Sequence, residues 1–216
     1  MMKFKGNEHK KSRLRTKAAL SDAFLTLLSK KTFDEISVSN IIDLAGYSRT
    51  TFYSYYQDKY DMIDKMIDDE VVAFVNAVCH PIPNDSYMRL DSDIYLPGLS
   101  LFEHVLEQKA LYYALIHYLL PGYSTDLFCL RMSKVFQQVI SITLPEEIPE
   151  LNFPLYCYIT GDSYLAFIKY WELHDFSFTP EYLARQMMSN WVKIKKVSSV
   201  SIKPLPSTFN IMDIFD

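Results

Sequence analysis

The chain has 216 residues, 49% of them hydrophobic, which is enough for one or two packed cores and too much for a disordered polymer. No apolar run approaches the roughly eighteen residues needed to span a bilayer, and the basic stretch Met1 to Arg15 has no apolar segment of secretory type after it, so a membrane or secreted reading is excluded and a cytoplasmic one expected. The net charge of −4 conceals a split. Residues 1–59 hold eleven Lys/Arg against six Asp/Glu, and the remainder holds eleven against twenty. A basic end on an acidic body suits a protein that meets phosphate at one end only. The three cysteines, Cys79, Cys129 and Cys157, are odd in number and far apart, which reads as free thiols in a reducing compartment.

Residues 1–11 read as a polar, basic, mobile arm. Ser12 to Ser29 predicts a first helix, with Leu20, Phe24 and Leu28 beside Ala19, Ala23 and Leu27 on one apolar stripe. Thr32 to Glu35 connects it to the most informative stretch, residues 37–59. There Ser37 is placed to cap a short helix whose apolar positions are Val38, Ile41, Ile42, Leu44 and Ala45. Gly46 can take the positive φ of a tight turn. Ser48 is a second cap, and Phe52 with Tyr56 forms the inward face of a second short helix. Two short helices joined by a glycine turn are what insertion into a DNA major groove requires.

Lys59 to Cys79 predicts a longer connecting helix, and His80 to Gly98, with three prolines, a loop. Helices follow at Leu99 to Leu119 and Asp126 to Ile142, separated by Pro121-Gly122. Pro145 to Pro154 reads as a loop and Pro154 to Leu173 as a helix apolar nearly all round. Thr179-Pro180-Glu181 is a helix start, with Thr as cap and Pro in the first turn, and that helix ends near Lys195. Residues 198–216 show no helical period and read as an extended or mobile tail. The fold class is therefore all-α: an N-terminal three-helix helix-turn-helix domain in residues 1–60, a helical regulatory and dimerisation domain in residues 61–197, and the tail.

The run Arg15 to Ile63 resembles the N-terminal domain of TetR-type (TetR/AcrR-like) transcriptional regulators. The resemblance rests on Arg15-Thr16, Ala19, Phe24, Phe33-Asp34, Ser37-Val38, Ile41-Ile42, Ala45-Gly46, Ser48, Thr51-Phe52-Tyr53, Tyr55-Tyr56, Lys59 and Met62. Tyr47 departs from the small aliphatic residue many members carry after the turn glycine. The resemblance implies a homodimeric DNA-binding regulator on a palindromic double-stranded operator, most members being repressors. Within that reading Arg49 is the candidate for a guanine edge, and Thr50 and Thr51 for a thymine methyl or a phosphate. Tyr53, Ser54, Tyr55 and Lys59 are candidates for phosphates, as are Arg15 and Thr16, and Ser37, Ser39 and Ser48 at helix starts. The basic arm is a candidate for the minor groove or a plain solubilising segment.

The second half resembles TetR-type regulatory domains only loosely, in Gly161 to Met188. The resemblance implies that its last two helices form the dimer interface, through Tyr164, Phe167, Ile168, Trp171, Leu183, Met187 and Trp191. The many aromatic residues suit a pocket for an apolar or planar small-molecule effector, with Tyr112, Tyr113, His117, Phe136, Tyr158 and Tyr164 as candidates, and equally suit a plain core. The alternative to a ligand-responsive repressor is an adaptor or activator whose second domain binds a partner protein. No paired metal-ligand motif and no catalytic motif occurs, so no metal, cofactor or enzymatic activity is expected.

Overall fold

The computed structural model describes residues 2–79, 95–119, 122–143, 152–194 and 199–202, with side chains described for these except 2–10, 78–79, 95–97, 139–143, 188, 190–194 and 199–202. Among the described residues the order is α1 (Met2–Leu28), α2 (Val38–Ala45), α3 (Arg49–Tyr53), α4 (Lys59–Cys79), α5 (Tyr95–Glu107), α6 (Lys109–His117), α7 (Tyr123–Val139), β1 (Ile140–Thr143), α8 (Phe153–Leu173), α9 (Pro180–Ile194) and β2 (Ser199–Ile202). The chain divides into two compact units. The first is Met1–Met66 with Tyr113–Ser124, and the second is Ile67–Tyr112 with Thr125–Asp216.

The first unit is built on short-range signals. Leu20, Phe24 and Leu28 recur every four residues along α1 and are buried, as are Ile41 and Ile42 of α2 and Phe52 and Tyr56 around α3. Leu44 lies on the other side of α2 and is 52% exposed, so it does not join the apolar face expected of it. Phe33, in the α1–α2 loop, packs edge-on against Phe24 and Tyr60. Helix α1 begins at Met2, not Ser12, and so the stretch read as a mobile arm has helical backbone.

The second unit has an aromatic interior. Phe74 of α4 meets Phe128 of α7 and Tyr164 of α8 edge-on, and Tyr164 also meets Phe136. Burying each such ring contributes roughly 1.5–3 kcal/mol. Gly161 lets α8 approach α7 closely, since a Cβ there would lie 3.2 Å from Met132 Cβ. A Cβ on Gly98 of α5 would lie 2.6 Å from Met187 Cε of α9. The turn from α8 to α9 passes through Asp175 and Phe176, both at positive φ, and is held by Trp171, whose Nε1 donates to the Phe178 carbonyl at 3.0 Å.

Three helix readings change. Leu99 to Leu119 is not one helix but α5 and α6, broken at Gln108. On a straight helix, residues eight apart lie about 12 Å apart along the axis, yet His104 and Tyr112 both reach one carboxylate oxygen of Glu70, at 2.8 and 2.6 Å. The break makes this convergence possible. Helix α7 stops at Val139, where the alternating, partly β-branched run Ile140–Thr143 becomes a strand. Its antiparallel partner, Ser199–Ile202, lies in the tail, with Ile140 opposite Ile202 and Thr143 opposite Ser199. The fold remains all-α apart from this ribbon.

Candidate nucleic-acid interface

Helix α2 starts and stops as its residues dictate. The Ser37 hydroxyl accepts from the Asn40 amide N–H at 3.2 Å, and the Asn40 side chain accepts from the Ser37 N–H at 3.0 Å, a reciprocal cap. Gly46 ends the helix at φ 73°, and the Gly46 and Tyr47 N–H groups both donate to the Ile42 carbonyl. Ser48 then caps α3 by accepting from the Thr51 N–H at 3.1 Å. Phe52 and Tyr56 turn inward, fully or nearly fully buried. Arg49, Thr50 and Tyr53 face solvent, and Thr51 is half-buried. The short α3 thus presents a polar and cationic surface from an anchored hydrophobic base.

Two lysines hold the frame from behind. Lys59 Nζ donates to the carbonyls of Phe33 at 2.8 Å, Ile36 at 3.0 Å and Asp34 at 3.4 Å, and it sits 4.2 Å from the Phe33 ring centre. An ammonium has three N–H donors, so the geometry commits all of them inward. The Lys59 ammonium thus sits on loop carbonyls of the frame, where the sequence reading expects a phosphate contact. Lys65 Nζ donates to the Tyr55 carbonyl at 3.0 Å and to Asp61 at 2.9 Å, while Asp58 caps the start of α4. Sequence reasoning missed Lys65; its four-residue spacing from Asp61 was the available signal.

The remaining candidates separate by environment. Arg15 is exposed. Thr16 is buried and its hydroxyl donates to the Ser12 carbonyl at 3.1 Å, so it faces the helix and not a phosphate. The hydroxyls of Ser37 and Ser48 act first as caps. Ser54 ends α3 and donates to the Thr51 carbonyl at 2.7 Å. Tyr55 is half-buried beneath the Arg13 guanidinium, 5.5 Å from the ring centre. Ser39 accepts from Arg49 Nη2 at 2.7 Å.

The family model described as bacterial regulatory proteins, tetR family, matches residues 20–66. Residues 20–66 are thus a helix-turn-helix domain of the TetR type. The match spans α2, α3 and the start of α4, the elements whose geometry is given above. A comparison with curated proteins gives no match. Among solved structures, the chain is similar to the fatty acid degradation regulator FadR from Bacillus halodurans, at TM-score 0.58 and 13% identity, covering 81% of this chain and 93% of that one. A structure from Syntrophomonas wolfei assigned to the TetR family of transcriptional regulators gives 0.58 and 17%, covering 86% and 95%. The dihydroxyacetone kinase operon activator DhaS gives 0.52 and 17%, covering 83% and 97%. At these identities the likeness is one of fold, and it extends through the second unit as well as the TetR-type domain.

Of the residues expected to line an effector pocket, three share one buried aromatic group of the second unit. Tyr112, Phe136 and Tyr164 are buried and connect through Phe128 and Phe74. Tyr113 and His117 belong to the first unit, where their rings lie 4.7 Å apart and are exposed. Tyr158 is exposed on α8. Glu70, which sequence reasoning missed, organises the buried group. Burial pushes the Tyr112 hydroxyl well above its ordinary pKa, and the adjoining Glu70 charge adds to that. For His104, burial disfavours the imidazolium, but the hydrogen bond and charge of Glu70, with Glu107, outweigh it and raise the pKa. Cys129 is buried and pushed up to about 12 by burial and by Asp162, which leaves it an unreactive thiol.

The expected dimer residues are largely interior. Tyr164, Ile168, Trp171, Leu183 and Met187 are all 5% exposed or less within one chain, and the Phe167 ring packs against Phe102. The Trp191 side chain lies outside the described residues. One side of α8 completes the chain's own core, which accounts for part of its all-round apolar character. The other side is exposed: Leu155, Ile159, Tyr170 and Leu173 are 53%, 54%, 52% and 75% accessible, with the exposed Asp162 and Ala166 between them at helical spacing. Among the described residues no helix is long and apolar enough to cross a membrane.

Proposed function

We propose that the protein is a TetR-like transcriptional regulator that acts as a homodimer in the cytoplasm and binds a palindromic operator through the outward face of α3. The observation that carries this reading is the capped, glycine-turned pair α2 and α3, with Phe52 and Tyr56 buried and Arg49, Thr50 and Tyr53 exposed. In this reading Arg49 reads a base edge and Thr50 and Tyr53 meet base or phosphate. The interface uses the exposed stripe of α8, from Leu155 to Leu173, since a soluble monomer seldom leaves such a row uncovered. Two recognition helices in successive major grooves require half-sites about 34–36 Å apart, or a multiple. Selection of bound duplexes from a random pool, followed by footprinting, tests the reading. Enrichment of an inverted repeat with that spacing is expected, and a pool that stays random would overturn it.

A specific observation also supports the adaptor alternative, in which the second unit answers to a partner protein instead of a small molecule. Tyr112, Phe136 and Tyr164 pack against one another's neighbours, and the Tyr112 hydroxyl is already taken by Glu70. The likeness in fold to DhaS, an operon activator, agrees with this alternative, and the likeness to FadR, a fatty acid degradation regulator, agrees with an apolar effector. Thermal shift of the purified protein against a panel of fatty acids and planar apolar compounds separates them, because only an effector that binds the native state raises the melting temperature.

A further inference from the structure

We propose that Ser39 is a positioning residue that presets the Arg49 guanidinium for base reading. The proposal rests on the reading of α3 as the recognition helix. Of the three serines at or near the starts of α2 and α3, Ser37 and Ser48 are occupied as caps. Ser39 stands one residue inside α2 and its hydroxyl has a different partner, Arg49 Nη2 at 2.7 Å, ten residues away across the glycine turn. Arg49 is the first residue of α3, so this bond ties the first turn of one helix to the first turn of the other.

An exposed arginine carries several free torsions, and fixing them on binding weakens affinity. A guanidinium already held at one nitrogen has fewer torsions left to fix, and its remaining N–H donors stay free for the paired acceptors of a guanine edge. The Ser39 hydroxyl is suited to this role because it accepts through its lone pairs and adds no charge of its own. Its effect on DNA recognition therefore passes through Arg49 and is confined to the base pair Arg49 reads. A serine that simply contacted a phosphate would act on every sequence alike.

The test is a double-mutant cycle of Ser39→Ala and Arg49→Ala, with duplexes from the selection and variants changed one base pair at a time as probes. Ser39→Ala is expected to weaken binding to the selected duplex by about three- to tenfold. It should have no effect on the duplex whose Arg49-dependent base pair is changed, and none in the Arg49→Ala background. Ser39→Thr, which keeps the hydroxyl, should retain the preference. Equal loss on every duplex, or a loss that persists without Arg49, would overturn the proposal. If Arg49→Ala leaves base preference unaltered, the Ser39 role falls while operator binding stands. If the wild type selects no duplex at all, the reading of α3 falls with it.

Discussion

In the first unit, the helix caps and one ion pair answer over three or four residues, Ser37 with Asn40, Ser48 with Thr51, Asp58 with Asp61, and Asp61 with Lys65, while Lys59 reaches back 23 to 26 residues to the loop carbonyls. In the second, Glu70 meets His104 and Tyr112 across 34 and 42 residues, and Asp68 pairs with Arg131 at 3.0 Å. Local pairs leave a periodic trace in sequence, and distant ones do not. The first unit also turns Lys59 and Lys65 to carbonyls, whereas the second pairs the buried carboxylates of Asp68 and Glu70 with groups from other helices. The two units should therefore fail differently when single residues are changed.

The largest effect is expected at an interior position of α9. Leu183→Glu places a carboxylate at a 1% exposed site and should cost roughly 3–5 kcal/mol in thermal unfolding. Ile159→Glu, at a 54% exposed site, should leave the melt nearly unchanged and shift sedimentation toward the monomer. If Ile159→Glu stays dimeric, the α8 stripe is not the interface.

Next in size is the Glu70 node. Glu70→Ala leaves the buried Tyr112 hydroxyl without its acceptor and should cost about 2–3 kcal/mol, with Glu70→Gln recovering part of it. The same node sets a pH dependence. Because the folded pKa of His104 is raised, its contribution to stability is fully present below the unfolded value of 6.5 and is lost as pH rises through the folded value. The difference in melting temperature between wild type and His104→Asn should therefore be larger at pH 6 than at pH 8.5. An equal difference at both would show that the charged pair contributes nothing.

Smaller effects sharpen the account of the first unit. Lys59→Met should lower stability by about 1–2 kcal/mol through the lost carbonyl contacts, while the salt dependence of DNA binding keeps its slope. A slope reduced by about one would return Lys59 to the phosphates. Ser48→Ala should cost about 1 kcal/mol as a lost cap, measured by denaturant unfolding.

Much of the first unit was legible because caps, the turn glycine and the four-residue apolar rhythm are signals within a few residues. Gly46 takes the positive φ its position called for, and Phe52 and Tyr56 are the inward pair. The roles of Lys59 and Thr16 were not legible, since a cation or hydroxyl at a helix surface looks alike whether it turns to carbonyls or to solvent. In the second unit, helix existence was readable, but not the break at Gln108 or which side of α8 is covered. The groups that meet them lie far along the chain: Glu70 across the break, and Phe74, Met132 and Phe102 against the covered side of α8. The tail strand Ser199–Ile202 depends likewise on Ile140–Thr143.

The capped helix pair of the first unit is proposed to bind duplex DNA, with the basic residues of that unit meeting phosphate. The affinity of the wild-type protein for its selected duplex across a salt series tests it most directly. A steep linear fall of log affinity with log salt is expected, as the protein's cations displace counterions from phosphate. A flat response, or no binding at low salt, would contradict it.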